Sequence, residues 1–139
     1  MSDCIFCKIA AGEIPCEKVL EDEHALAFVD IGPLAEGHTL LIPRRHYQTL
    51  DQMPAETAAA VLRHLPALAR AVQAATGCEG INLLQNNGRV AHQVVPHVHF
   101  HIIPRNRDDA FNFNWPAGRY PEGRMPELGR AIRRQMKEG

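Results

Sequence analysis

The sequence is poor in aromatic residues, carries almost no net charge and contains no long apolar run. Only 6% of its 139 residues are aromatic, so the core has to be built mainly from aliphatic side chains. Fifteen Lys and Arg against sixteen Asp and Glu leave a formal charge of −1, which excludes a whole-surface electrostatic grip on nucleic acid. No apolar stretch reaches the ~18 residues a membrane span needs. The opening residues MSDCIFCKIAAGE lack the basic segment and apolar run of a signal peptide. Four cysteines are too few for a disulfide scaffold. No GxxxxGK loop, Rossmann glycine fingerprint, HExxH helix, internal repeat or low-complexity tract is present. A soluble protein of the reducing cytoplasm, with neither nucleic acid nor membrane as partner, is expected.

Against these absences stand eight histidines, an apolar fraction of 45%, and a length suited to one domain spanning 1–139. Residues 4–12 read as a short helix broken at Gly12. Residues 16–22, 24–30 and 38–43 read as three strands with short links, which favours antiparallel pairing. A long helix begins near Asp51 or the Met53-Pro54 step and stops at Gly77, with Pro66 inside it as a predicted kink. Residues 80–85 and 96–104 complete five strands, Asn86-Asn87-Gly88 is a turn, and a short amphipathic helix covers 127–137. The expected class is α+β: a five-stranded antiparallel sheet with one long helix on one face and short terminal helices.

The informative run is Pro96-His97-Val98-His99-Phe100-His101-Ile102-Ile103-Pro104. Side chains alternate along a strand, so Val98, Phe100 and Ile102 face the core while His97, His99 and His101 face the other way. Three imidazoles in a row permit three readings: an exposed polar face, a metal site, or nucleophilic catalysis by one imidazole positioned by its neighbours. Alternation alone leaves them open.

The run His97-Val98-His99-Phe100-His101-Ile102-Ile103 resembles the signature of the histidine triad (HIT) superfamily. Cys4 to Ile9, Phe28 to Ile31, Gly37 to His46 and Trp115-Pro116 resemble further blocks of its Hint-like bacterial branch, so the likeness covers nearly the whole chain. It implies a HIT-like fold and a hydrolase or nucleotidyl transferase acting at the α-phosphate of purine nucleoside 5′-phosphoramidates, adenylates or dinucleoside polyphosphates. His99 would attack phosphorus to give a nucleotidyl-histidine, His101 would donate to a phosphate oxygen, and His97 and His38 would support the pair. Asp30 would accept a ribose hydroxyl. Phe6, Ile9, Ile31 and Leu40 would line the base slot, each equally suited to the core and Ile9 better suited to it, and Asn86 and Gln93 would meet the phosphate or leaving group. The pattern departs in two places: His92 stands where a Gly is common, and Val94 where some members carry Ser. A homodimer is implied, with residues 105–139 as an extension at its interface and Trp115 reaching the partner's site. A nucleotide-binding regulatory module with weak turnover and a metal-dependent hydrolase remain the alternatives.

Cys4 and Cys7 form a C-x-x-C pair. No thioredoxin-like strand precedes it, so a redox role is weak, and half a metal site needs two more ligands. The resemblance supplies them: Cys4, Cys7, His46 and His97 would hold a structural Zn2+. No catalytic metal is expected. Arg44, Arg45, Arg105 and Arg107 are predicted near the pocket mouth as a mostly solvated charge run, and Cys16, Cys78, His24 and His64 are given no role.

Overall fold

The computed structural model describes residues 3–139. Five strands form one antiparallel sheet: β1 (Lys18–Glu21), β2 (Ala25–Val29), β3 (Thr39–Pro43), β4 (Gly80–Gln85) and β5 (Phe100–Arg105), in spatial order β1-β2-β3-β5-β4. Period-two alternation sorts their side chains into two cores. Ala25, Ala27, Leu41, Phe100 and Ile102, with Val98, pack against α2 (Ala55–Leu62) and α3 (Leu65–Thr76) through Val61, Leu68 and Val72. Leu26, Phe28, Leu40 and Ile42 face the other way and meet Phe6 of α1 (Ile5–Ala10). Burying a Phe side chain of this kind stabilises by about 1.5–3 kcal/mol, so Phe6 is the main fastening of α1 to the sheet.

The long helix spans residues 55–76 as expected, and its kink falls at Arg63–His64, dividing it into α2 and α3; Pro66 lies in the first turn of α3, where its missing N–H costs nothing. Three expected boundaries need correcting. The fifth strand begins at Phe100, not at residue 96. The ladder to β4 ends at the Gln85–Phe100 pair, and before it the main chain bonds elsewhere, Val98 N–H donating to the carbonyl of Tyr47 at 2.8 Å. The first two strands are also shorter than 16–22 and 24–30, because Asp22 caps the turn between them by accepting from the amides of His24 and Ala25, both at 2.8 Å. The last helix, α4 (Arg124–Glu138), is longer than expected and buries no residue.

Between β5 and α4 the chain has no regular structure. Arg105 anchors its start: the guanidinium binds both carboxylate oxygens of Asp109 at 2.8 Å and stacks 4.8 Å from the centre of the Phe111 ring. Arg105 is therefore a fastening and not a solvated steering charge. Arg44 likewise ties two elements together, reaching Glu21 at 2.5 Å and the carbonyl of Ala10 at 3.1 Å.

Candidate active site

A cavity of about 840 Å3 opens on the face of the sheet that carries Phe6, Phe28 and Leu40. Strand parity puts His101 there, since it pairs directly with Leu40 across β3 and β5. His99 and His101 line the cavity beside Asp30, Ile31, Phe6, Ile9 and Leu40. His97 is fully buried behind them.

Each imidazole has one nitrogen committed to the protein. His97 Nε2–H donates to the carbonyl of Pro43 at 2.8 Å, turning Nδ1 toward Cys4, Cys7 and His46. His99 Nδ1–H donates to the carbonyl of His97 at 2.7 Å. That bond fixes the tautomer and leaves the lone pair on Nε2. No fully buried side-chain nitrogen lacks a partner among the described residues, so Nε2 of His99, which makes no hydrogen bond within them, is open to the cavity. His101 Nδ1 lies 2.9 Å from His38 Nε2, and Asp30 Oδ2 is 3.6 Å from the same nitrogen. The His99 and His101 rings stand 4.9 Å apart, and Phe6 meets His99 edge-on at 5.0 Å.

Burial makes these imidazoles neutral. It pushes His97 down to about 4, and His101 likewise to about 4 with help from His99 and His38. His99 and His38 are lowered for the same reason, the bond to the His97 carbonyl opposing the shift in His99. A neutral imidazole that presents a lone pair into a largely apolar cavity can act as a nucleophile at pH 7.

The second cluster lies one layer behind. Cys4, Cys7, His46 and His97 bring two sulfurs and two nitrogens within 4.8 Å of one another. Cys4 Sγ is 3.4 Å from His97 Nδ1, Cys7 Sγ is 3.4 Å from His46 Nδ1, and the two nitrogens are 3.2 Å apart. Tetrahedral zinc with N at about 2.0–2.1 Å and S at about 2.3 Å requires ligand separations of about 3.3–3.8 Å, so this set fits such an ion. Burial and the neighbouring Cys4 push the Cys7 thiol up to about 11, the direction a bound cation would reverse. The bond from His97 Nε2 to the Pro43 carbonyl is the outer support a ligating imidazole needs. His97, His99 and His101 do not gather as one ligand set; the other group of close ligand atoms among the described residues is Asp30, His38 and His101.

Asn86 and Gln93 are not brought to the cavity. The buried Gln93 carboxamide is engaged by main-chain groups, accepting from the Gly88 amide at 2.7 Å and donating to the carbonyls of Gln48, 45 positions away, and Val95 at 2.7 and 3.1 Å. His92 has φ 68°, the left-handed region that favours glycine, which accounts for the Gly common at that position of the resembled pattern. The cavity also holds residues with no predicted role there: Phe28, Cys16 and Val94. Phe28 shares a strand face with Asp30 two residues on, so parity could have found it. Cys16 carries no local signal.

The family description that matches this chain is the HIT domain, over residues 11–108. The chain is 43% identical over 135 residues to an adenosine 5′-monophosphoramidase of Schizosaccharomyces pombe, covering 96% of this chain and 98% of that protein. It is 47% identical over 108 residues to an adenylylsulfatase of Arabidopsis thaliana, covering 78% of this chain and 55% of that longer protein. A solved structure from Streptococcus mutans superposes with a TM-score of 0.92 at 40% identity, covering 98% of this chain and 87% of that one. A zinc-bound histidine triad family protein from Mycobacterium smegmatis superposes with a TM-score of 0.74 at 34% identity, covering 94% and 98%.

Proposed function

This chain belongs to the HIT domain family, and from that premise we propose that it is a nucleoside phosphoramidase, cleaving at the α-phosphate of adenosine-type nucleotides through a covalent intermediate on His99. One observation carries the reading: the His97 carbonyl holds the proton of His99 on Nδ1, and the cavity receives the lone pair on Nε2. The names of relatives, adenosine 5′-monophosphoramidase and adenylylsulfatase, support substrates of the AMP type.

In the proposed cycle His99 Nε2 attacks the α-phosphorus. A phosphorus–nitrogen bond forms to the imidazole while the bond to the leaving group breaks. The leaving amine departs with the electron pair and takes a solvent proton. Water then attacks the nucleotidyl-histidine, releasing the nucleoside monophosphate and a proton and restoring neutral His99. His101 offers a donor to a phosphate oxygen as charge develops there. Asp30, at the cavity rim, is the acceptor proposed for a ribose hydroxyl, and Phe6, Ile31 and Leu40 the walls for the base. No step calls for a catalytic metal.

Cys4, Cys7, His46 and His97 are the proposed ligands of a closed structural zinc, which would supply rigidity to α1 and the triad and no chemistry. A homodimer is proposed as well. β4 is an open sheet edge, and residues beyond Arg105 expose Phe113, Trp115, Ile132 and Met136, more apolar surface than an isolated tail needs. In this reading residues 1–139 are one HIT domain with an extension from 105 that meets the partner. Four free thiols suit a reducing, cytoplasmic setting.

The deciding experiment is mass spectrometry of the protein and of His99→Ala after brief reaction with adenosine 5′-phosphoramidate, with and without EDTA. A nucleotidyl adduct present only in the unaltered protein and surviving EDTA is the expected result. AMP release that EDTA abolishes, with no adduct, overturns the mechanism. Nucleotide binding without adduct or release favours the regulatory module.

A further inference from the structure

The proposed reaction asks opposite things of two neighbouring imidazoles: His99 must present a lone pair and His101 a proton. For His99 the determinant is the His97 carbonyl. For His101 it has to lie elsewhere, because no main-chain group bonds its Nδ1. That nitrogen faces His38 Nε2 at 2.9 Å. One of the two nitrogens carries the hydrogen, and the pair alone does not choose.

The choice is made at the far side of His38. The main-chain N–H of Leu34 donates to His38 Nδ1 at 3.0 Å. An amide N–H can only donate, so Nδ1 has to be the bare nitrogen of a neutral ring and Nε2 has to carry its hydrogen. His38 Nε2–H then donates to His101 Nδ1, with the Asp30 carboxylate 3.6 Å away, beyond hydrogen-bond distance. His101 Nδ1 is thereby the acceptor, its own hydrogen sits on Nε2, and Nε2 is the nitrogen left for the cavity. We propose that the Leu34 amide is a positioning group for the reaction: acting through His38, it fixes His101 as a hydrogen-bond donor to the phosphate. In the reversed arrangement His101 would turn a lone pair on the developing negative charge.

Two further features fit this role. Both rings are held neutral by burial, so a tautomer choice exists to be made. The loop that carries Leu34 is also pinned. Gly37 has φ +95°, and a Cβ there would stand 2.4 Å from Cγ2 of Thr76. Thr76 cannot easily give way, since its hydroxyl donates to the Val72 carbonyl at 2.7 Å and accepts from the Cys78 amide at 3.2 Å. Leu34 itself exposes its side chain, so its main chain is what the site uses.

The inference rests on the proposed function, and its test reads something that reading does not fix. Long-range 1H–15N correlation of the ring nitrogens at pH 7.5 reports each tautomer directly. Expected in the unaltered protein are Nε2–H on His38 and His101 and Nδ1–H on His99. Replacing the Leu34 amide by an ester puts an oxygen where the N–H was and leaves the side chain unchanged. It is expected to mix the tautomers of His38 and His101 and to slow adduct formation on the order of 10-fold, less than the roughly 100- to 1000-fold of losing a preorganised donor outright, because part of the population keeps the donor. Leu34→Ala keeps the N–H and is expected to change neither. Nδ1–H on His101 in the unaltered protein, or unchanged tautomers in the ester variant, overturns the inference. If the unaltered protein forms no adduct, the functional reading fails, and the ring shifts still decide the tautomers.

Discussion

His97 takes part in both clusters at once: its Nδ1 lies 3.4 Å from Cys4 Sγ, while its main-chain carbonyl accepts the Nδ1–H of His99 at 2.7 Å. The side chain belongs to the metal-binding set and the backbone to the nucleophile. The two roles separate because His97 is held in other ways as well, by Nε2–H on the Pro43 carbonyl and by the following amide on Tyr47, both at 2.8 Å.

Metal removal should therefore weaken the fold more than the chemistry. One zinc per chain is expected by elemental analysis. Chelation, or Cys7→Ser, is expected to lower Tm by about 10 °C, at roughly 2–4 °C per kcal/mol for a chain of this size, with adduct formation kept within about 10-fold. A metal-free protein with unchanged Tm would remove the zinc proposal.

Acid should destabilise the protein well above the carboxylate range. Burial holds His101 down at about 4 against an ordinary value near 6.5, with His38 lowered in the same direction. Between those values the unfolded chain binds more protons than the folded one, so stability is fully present above pH 6.5 and declines as pH falls toward 4. The urea midpoint measured from pH 7.5 to 4.5 should fall, and His101→Asn should flatten the slope. A midpoint flat over that window contradicts the burial argument.

Gly37 and Gly77 make a matched pair. Both have positive φ, but a Cβ on Gly77 meets open space while one on Gly37 strikes Thr76. Gly77→Ala should cost about 1 kcal/mol, the backbone strain alone. Gly37→Ala should cost about 3 kcal/mol or more by urea denaturation and should also disturb the His38 ring resonances. Equal costs would mean that the contact with Thr76 is easily relieved.

Arg105 should control the tail. Arg105→Gln loses the two-point grip on Asp109 and the stacking on Phe111. Limited proteolysis should then cut within residues 106–123 several-fold faster, with the sheet still resistant. Unchanged cleavage would show that the tail is held by other contacts.

Much of this arrangement is legible along the chain. Val98, Phe100 and Ile102 face one core and His97, His99 and His101 the opposite side, as alternation requires, although the ladder starts only at Phe100. The parity survives because it belongs to the extended backbone and not to the pairing. The break near Pro66 is legible for a similar reason, since proline acts on its own turn. Where the kink falls, at Arg63–His64, is set by how Val61 and Leu68 reach one core.

What the sequence by itself determined is the set of residues and the side of the sheet each occupies, because period and local turn chemistry act over a few positions. What only the tertiary structure decided is which atoms meet. Cys7 finds His46 across 39 positions and Cys4 finds His97 across 93. Gln93, predicted for the phosphate, is engaged by main-chain groups, and Leu34, an exposed residue with no polar side chain, donates the N–H that orders two imidazoles. The last two outcomes depend on main-chain carbonyls and amides, which every residue carries alike. No residue type announces them, and the packing of the folded chain alone fixes where they point.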